Sequence, residues 1–89
     1  MVEFRLMYRP KQDILVTDLE DELVLLNPDT QDIFTLNTSG RLLWLALPAS
    51  LDTLAEVLVG HYGLDLPTAR TDAGDILRDL VQAGLIDEA

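Results

Sequence analysis

The chain has 89 residues, sixteen acids against six lysines and arginines, a net charge of −10 and no cysteine. That length makes one domain with one modest core, and 48% hydrophobic content marks it as globular rather than disordered. The missing cysteines exclude disulfides, thiol nucleophiles and zinc-thiolate sites, and the acidic balance argues against nucleic acid or anionic membrane as partner, since both need basic surface.

Residues 2–9 alternate, with Phe4, Leu6 and Tyr8 on one side and Glu3, Arg5 and Arg9 nearer the other. The alternation predicts an extended arm or edge strand that Pro10 stops. Nothing in this N-terminus has the long apolar run of a signal peptide, and no 18-residue apolar stretch follows elsewhere, so cytoplasmic residence is the expectation. Ile14–Thr17 reads as a first strand and Asp18–Glu22 as a charged turn. Leu23–Leu26 is apolar on both faces, as suits the middle strand of a small sheet. Asn27-Pro28-Asp29 sets a turn, because Pro28 fixes φ while Asn27 and Asp29 bond nearby backbone. The next run, with Phe34 and Leu36 on one face, is a third strand, and chain order would place it at an open edge.

The period then changes. Asn37-Thr38-Ser39-Gly40 supplies capping oxygens for a nearly all-round apolar helix, Arg41–Leu47, of the kind that is usually buried. Pro48-Ala49-Ser50 ends it, and Ser50 or Asp52 caps a second helix with Leu51, Leu54, Val57, Leu58 and Tyr62 at helical spacing and Gly63 as its stop. Asp65-Leu66-Pro67 opens a third helix, which Gly84 closes in a Schellman cap. The reading is one domain, 1–89, of α+β class: a winged-helix-turn-helix-like fold with a three-stranded antiparallel sheet followed by three helices.

No catalytic constellation is present. His61, the only histidine, sits in the last turn of the second helix, where a cation suits the helix dipole. Ser39 and Ser50, the only serines, stand at capping positions without a base, and the five glycines form no phosphate loop. Ala49-Ser50-Leu51 lacks the aspartate that precedes the phosphopantetheine serine of acyl carrier proteins. The sequence therefore predicts no enzyme, no metal site and no cofactor. A winged helix invites a DNA reading, but residues 65–83 carry Asp65, Asp72, Asp75 and Asp79 against Arg70 and Arg78. Phosphate would repel such a recognition helix.

At 100° per residue, Ala69, Ala73, Ile76, Leu77 and Leu80 share one apolar stripe of the third helix, with Asp72, Asp75 and Asp79 along its flank. The plain reading is an amphipathic core helix with a solvated border. The sharper one joins it to the open third strand as a groove with an apolar floor and an acidic lip, to which Asp32 adds. Such a groove accepts an extended, cationic peptide by strand addition.

Leu36-Asn37-Thr38-Ser39-Gly40 with Leu43-Trp44 resembles the LN-x-T/S-G-x-x-I/L-W signature of the pyrroloquinoline-quinone biosynthesis protein D family. Asp72-x-x-x-Ile76-Leu77-x-x-Leu80-x-x-x-Gly84-Leu85-Ile86 is similar to that family's C-terminal helix pattern. The family is also known as the recognition element for precursors of ribosomally synthesised, post-translationally modified peptides. The resemblance covers residues 14–87 and implies a non-catalytic protein that binds a precursor's leader segment as an added strand between the third strand and third helix. It puts the strand side of the site on Gln31, Asp32, Ile33, Phe34 and Thr35, and the helix side on Ala69, Asp72, Ala73 and Ile76, with Leu80 deeper. A free-standing chain of this kind is similar to the separate recognition proteins of lasso-peptide clusters, whose partners are a leader peptidase and a cyclase. Other stand-alone members serve radical-SAM maturases. Two departures are Gly74, where a larger residue is common and whose absence of a side chain would widen the groove, and the link 48–50, which lacks the usual glycine turn. The rival from another class is an acidic, antitoxin-like regulatory winged helix that neutralises a basic protein.

Overall fold

The computed structural model describes residues 6–89, so the predicted arm is visible only from Leu6 onward and its first part lies outside the described residues. The elements in order are β1 (Met7–Pro10), β2 (Leu15–Asp18), β3 (Leu23–Asn27), β4 (Asp32–Leu36), α1 (Thr38–Ala46), β5 (Ala49–Ser50), α2 (Leu51–Tyr62), α3 (Leu66–Gln82) and β6 (Ile86–Glu88). The α+β class and the predicted antiparallel sheet are present, as β2-β3-β4 with β3 in the middle. A second three-stranded sheet, β5-β1-β6, was not expected. In it β1 is the central strand, not an edge, with Tyr8 paired to Ala49 on one side and to Glu88 on the other. The link 48–50 is thus a strand in its own right, and the chain's last residues form another.

Pairing in the first sheet is in direct register, with Leu25 opposite Phe34 and Leu26 opposite Ile33. Successive side chains alternate faces, so Leu23, Leu25, Phe34 and Leu36 share the inner face. Leu23 and Leu25 are completely buried there. Val24, Leu26, Ile33 and Thr35 share the outer face, and Ile33 is 68% exposed. The turn chemistry is as read from the sequence: Asn27 accepts from the Asp29 amide through its side chain at 3.0 Å and from the Gln31 amide through its carbonyl at 2.7 Å. Gln31 itself adopts a positive φ of 62° and stands just before β4.

Helix starts are set by side-chain oxygens. Asn37 accepts from Gly40 N, Ser50 from Thr53 N and Asp65 from Thr68 N, each satisfying an amide that the helix leaves orphaned. Gly40 is a packing requirement, since a Cβ there would come within 3.1 Å of the Leu36 Cβ. Without a side chain, the first turn of α1 begins directly against the end of β4. The helix α2 ends where Gly63 turns left-handed at φ 65°, and Leu85 N donates to Leu80 O beyond α3, closing the expected Schellman cap.

The core joins Leu43 and Trp44 of α1, Leu54, Ala55 and Leu58 of α2, and Ala69, Ala73, Leu77 and Leu80 of α3 to β3, β5 and β6. The helix α3 packs chiefly on α2. Ala69 and Ala73 are 0% exposed, which reflects how closely two helices approach across small side chains. The helix α1 is not buried all round: Leu43 and Trp44 face inward, but Leu45 is exposed. Among the described residues, no helix is long and apolar enough to cross a membrane.

Candidate functional site

Among the described residues strand β4 is an edge strand, its second side carrying no partner strand. Its residues are exposed or half-buried throughout, so backbone groups along that side are open to pairing. At the C-terminal end of β4 the chain passes through Asn37 into α1, and a cleft of about 440 Å³ opens there. Asn37 and Ser39 form one wall and Asp72, Asp75 and Ile76 of α3 the other. Leu58 and Tyr62 of α2, with Leu64 of the following connector, complete the lining.

The cleft has an aliphatic floor and a polar mouth. Ser39 Oγ donates to Tyr62 Oη at 3.3 Å, joining the first turn of α1 to the last residue of α2 across the opening. Asn37 spends its side-chain oxygen on the α1 cap, which leaves its NH₂ group as a donor. Asp75 is bridged to Arg78 Nη2 at 3.4 Å along the same helix. Asp72 has no such bridge among the described residues.

The residues named from the sequence divide into three sets. Asp72 and Ile76 are brought together with the start of α1 in the cleft. Asp32, Ile33, Phe34 and Thr35 lie along the free edge, and Gln31 immediately before it; none of these lines the cleft. Phe34 faces inward, whereas Ile33 and Thr35 point to the outer face of the sheet, so only alternate side chains of the strand turn toward the core. Ala69, Ala73 and Leu80 are core: 0%, 0% and 3% exposed, under the cleft rather than on its surface. Ala69 as an accessible floor residue is therefore corrected, because the α2–α3 contact consumes the stripe that the helical wheel leaves open.

Asp79 and Asp32 are exposed but lie outside the cleft, so the acidic lip is shorter than the wheel suggests. Gly74 is also corrected. It lines a separate cavity of about 360 Å³ with Tyr8, Leu77 and Glu88, on the other flank of α3, and does not widen the cleft. In that cavity burial, and then the nearby Glu88 carboxylate, push the Tyr8 hydroxyl upward.

Sequence reasoning missed Leu58, Tyr62 and Leu64 as lining, and read Asn37 and Ser39 as caps and signature residues but not as lining. The signal was there for Tyr62, a large amphipathic residue placed where α2 runs out. No three or more His, Asp or Glu side chains among the described residues are grouped as a metal ion would require. His61 is exposed near the C-terminal end of α2, away from the cleft lining.

Comparison with known proteins agrees with this architecture. No curated protein matches the chain. Two solved structures share its fold. TbiB1 in complex with the TbiA(beta) leader peptide is 26% identical at a TM-score of 0.83, covering 89% of this chain and 94% of its own. Lasso peptide synthetase B1 complexed with the leader peptide is 22% identical at a TM-score of 0.80, covering 90% and 96%. The family of coenzyme PQQ synthesis protein D matches residues 22–86, from the last residue before β3 to the first of β6. With most of its length matched and the expected fold in place, the chain belongs to the coenzyme PQQ synthesis protein D (PqqD) family.

Proposed function

We propose that this protein is a non-catalytic recognition element that binds the leader segment of a ribosomally made precursor peptide. The leader adds as a strand to β4, and its side chains on one face enter the cleft against α3. Main-chain bonds supply affinity that is indifferent to sequence, and the cleft supplies selectivity. The bound precursor is then presented to the enzymes of its pathway, a leader peptidase and a cyclase of the lasso-peptide type, in the cytoplasm.

One observation carries the reading: an edge strand that no other described residue covers runs directly into a half-apolar cleft. Natural sheets usually cover or blunt such an edge. It is supported by the likeness to TbiB1, a protein solved with a leader peptide in place. Hydrogen exchange with and without a candidate leader peptide tests it. Amides of residues 31–36 that face away from β3 are expected to exchange fast in the free protein and slowly in the complex. Protection that spares 31–36 and falls instead on β2, the other open edge of the same sheet, would overturn the placement.

A further inference from the structure

The lining of the cleft makes two demands that most side chains cannot meet together. Leu64 and Ile76 present aliphatic surface above the nearly buried Leu58, whereas Asp72 stands at the same opening with a carboxylate. Asp75 beside it already has Arg78 as counter-ion at 3.4 Å. No base lies within ion-pair distance of Asp72 among the described residues. In the free protein water serves that carboxylate, since Asp72 is exposed. A strand laid along β4 with a side chain in the cleft would strip part of that water away. A hydrocarbon occupant without a hydrogen-bond donor would then leave a charge without compensation, and an acidic one would add repulsion.

A long apolar stem ending in a cation answers both demands. Its methylenes lie on Leu64 and Ile76 while its head stays at the mouth beside Asp72, the arrangement that lysine and arginine adopt wherever apolar surface borders water. The Tyr62 ring at the same opening adds an aromatic face to the cation's surroundings. The net charge of −10 acts in the same direction at longer range. We infer that the cleft is a subsite for one lysine or arginine of the bound leader, and that Asp72 is the residue that selects it. The inference rests on the peptide-recognition reading above.

Panning the protein against a displayed library of short random peptides separates the two. The expected result is enrichment of lysine or arginine at one position, at fixed spacing from apolar anchors. Replacing that residue by methionine, which keeps the stem and removes the cation, should weaken binding to the wild-type protein about tenfold. The same replacement should change binding to Asp72→Asn by less than about twofold, the mark of a direct pair in a double-mutant cycle. Asp72→Asn is nearly isosteric at an exposed position, and an unchanged Tm confirms that the fold is intact. Peptides that protect the amides of 31–36 but carry no enriched cation, or that bind wild type and Asp72→Asn alike, overturn the subsite and leave leader recognition standing. A library that yields no binder at all sinks the recognition reading, and the subsite with it.

Discussion

Arg41 grips Asp18 with two parallel hydrogen bonds, Nε to Oδ1 and Nη2 to Oδ2, both 2.9 Å long. Asp18 is the last residue of β2 and Arg41 is in the first turns of α1, so the pair fastens the β2–β3 turn to the helix that follows β4. Thr38 Oγ1 adds a second tie by donating to the Asp21 carbonyl at 3.1 Å. Two residues of the Thr-Ser-Gly-Arg stretch thus hold the sheet in a fixed attitude to α1, and with it the edge that leads into the cleft.

That fastening predicts a pH dependence. The Arg41 hydrogen bonds, helped by the Glu20 amide, hold the Asp18 carboxyl below the usual aspartate range, while Asp18 raises Arg41 further above neutrality. A carboxylate with a depressed folded pKa stabilises the fold above its unfolded value, about 3.9, and loses that contribution as pH falls through the folded value. Arg41 stays charged throughout and sets no window. The urea midpoint of wild type should therefore exceed that of Asp18→Asn at neutral pH, by a small margin because the pair is solvent-screened. The gap should close as acidification passes below the ordinary aspartate value of about 3.9. A gap that persists unchanged to about pH 2 would mean that the pair is not its source.

The core and the cleft separate along α3 by mutation. Leu77 is 2% exposed, so Leu77→Ala should cost about 2–5 kcal/mol as a cavity-forming truncation. Ala69→Glu should be at least as damaging, since it forces a charge and extra volume between α2 and α3. Ile76 is only half-buried and lines the cleft, so Ile76→Asp should weaken peptide binding with a smaller loss of stability. Thermal melts beside peptide titrations check this. Equal loss of Tm at Leu77→Ala and Ile76→Asp would place Ile76 in the core and remove it from the site.

Gly74 offers a contrasting case. A Cβ added there meets nothing within 4 Å, and the residue lies inside α3 with helical neighbours on both sides. Gly74→Ala should stabilise the protein by roughly 0.5–1 kcal/mol, because glycine loses the most backbone freedom on folding. The expected rise in Tm is a few degrees, about 4–8 °C per kcal/mol for a domain of this size. Since Gly74 opens on the flank of α3 away from the cleft, peptide affinity should not change. A fall in affinity would show that the second cavity takes part in recognition.

Local chemistry was legible in the sequence wherever a few neighbouring residues decide the outcome. The Asn27-Pro28-Asp29 turn, the Asn37, Ser50 and Asp65 caps, the Gly63 stop and the central place of β3 all follow from side chains within four residues of the feature. What needed distant partners was not legible. Ala49-Ser50 and Ile86–Glu88 are too short to signal strands by themselves, and they become strands because β1 passes between them. For the site, the helical wheel put Ala69, Asp72, Ala73 and Ile76 near one another but could not say where α2 would cover them. Its contact line buries Ala69 and Ala73 and leaves Asp72 and Ile76 outside. Leu64 enters the cleft from the turn after α2, a position that no period predicts, whereas Tyr62 falls on the period of α2 but turns to the cleft only because the helix ends there.

The remaining prediction concerns the carboxylates left outside the cleft. Asp32 and Asp79 are exposed and line no part of it, so they act on an approaching peptide only through the field they share with the chain's other acids. Fields of that kind change encounter rates and are screened beyond a Debye length, about 10 Å at 0.1 M salt. For a cationic leader the association rate should fall as salt is raised from about 0.05 to 0.3 M, with the dissociation rate nearly constant. The double variant Asp32→Asn, Asp79→Asn should flatten that salt slope without altering dissociation. Asp72→Asn should do the opposite in proportion, speeding dissociation more than it slows association, because its contact forms after encounter. Stopped-flow measurements on the three proteins distinguish the two kinds of acid. Matching salt slopes and matching dissociation rates in all three would show that neither set meets the peptide, and that the acidity of this chain serves its solubility alone.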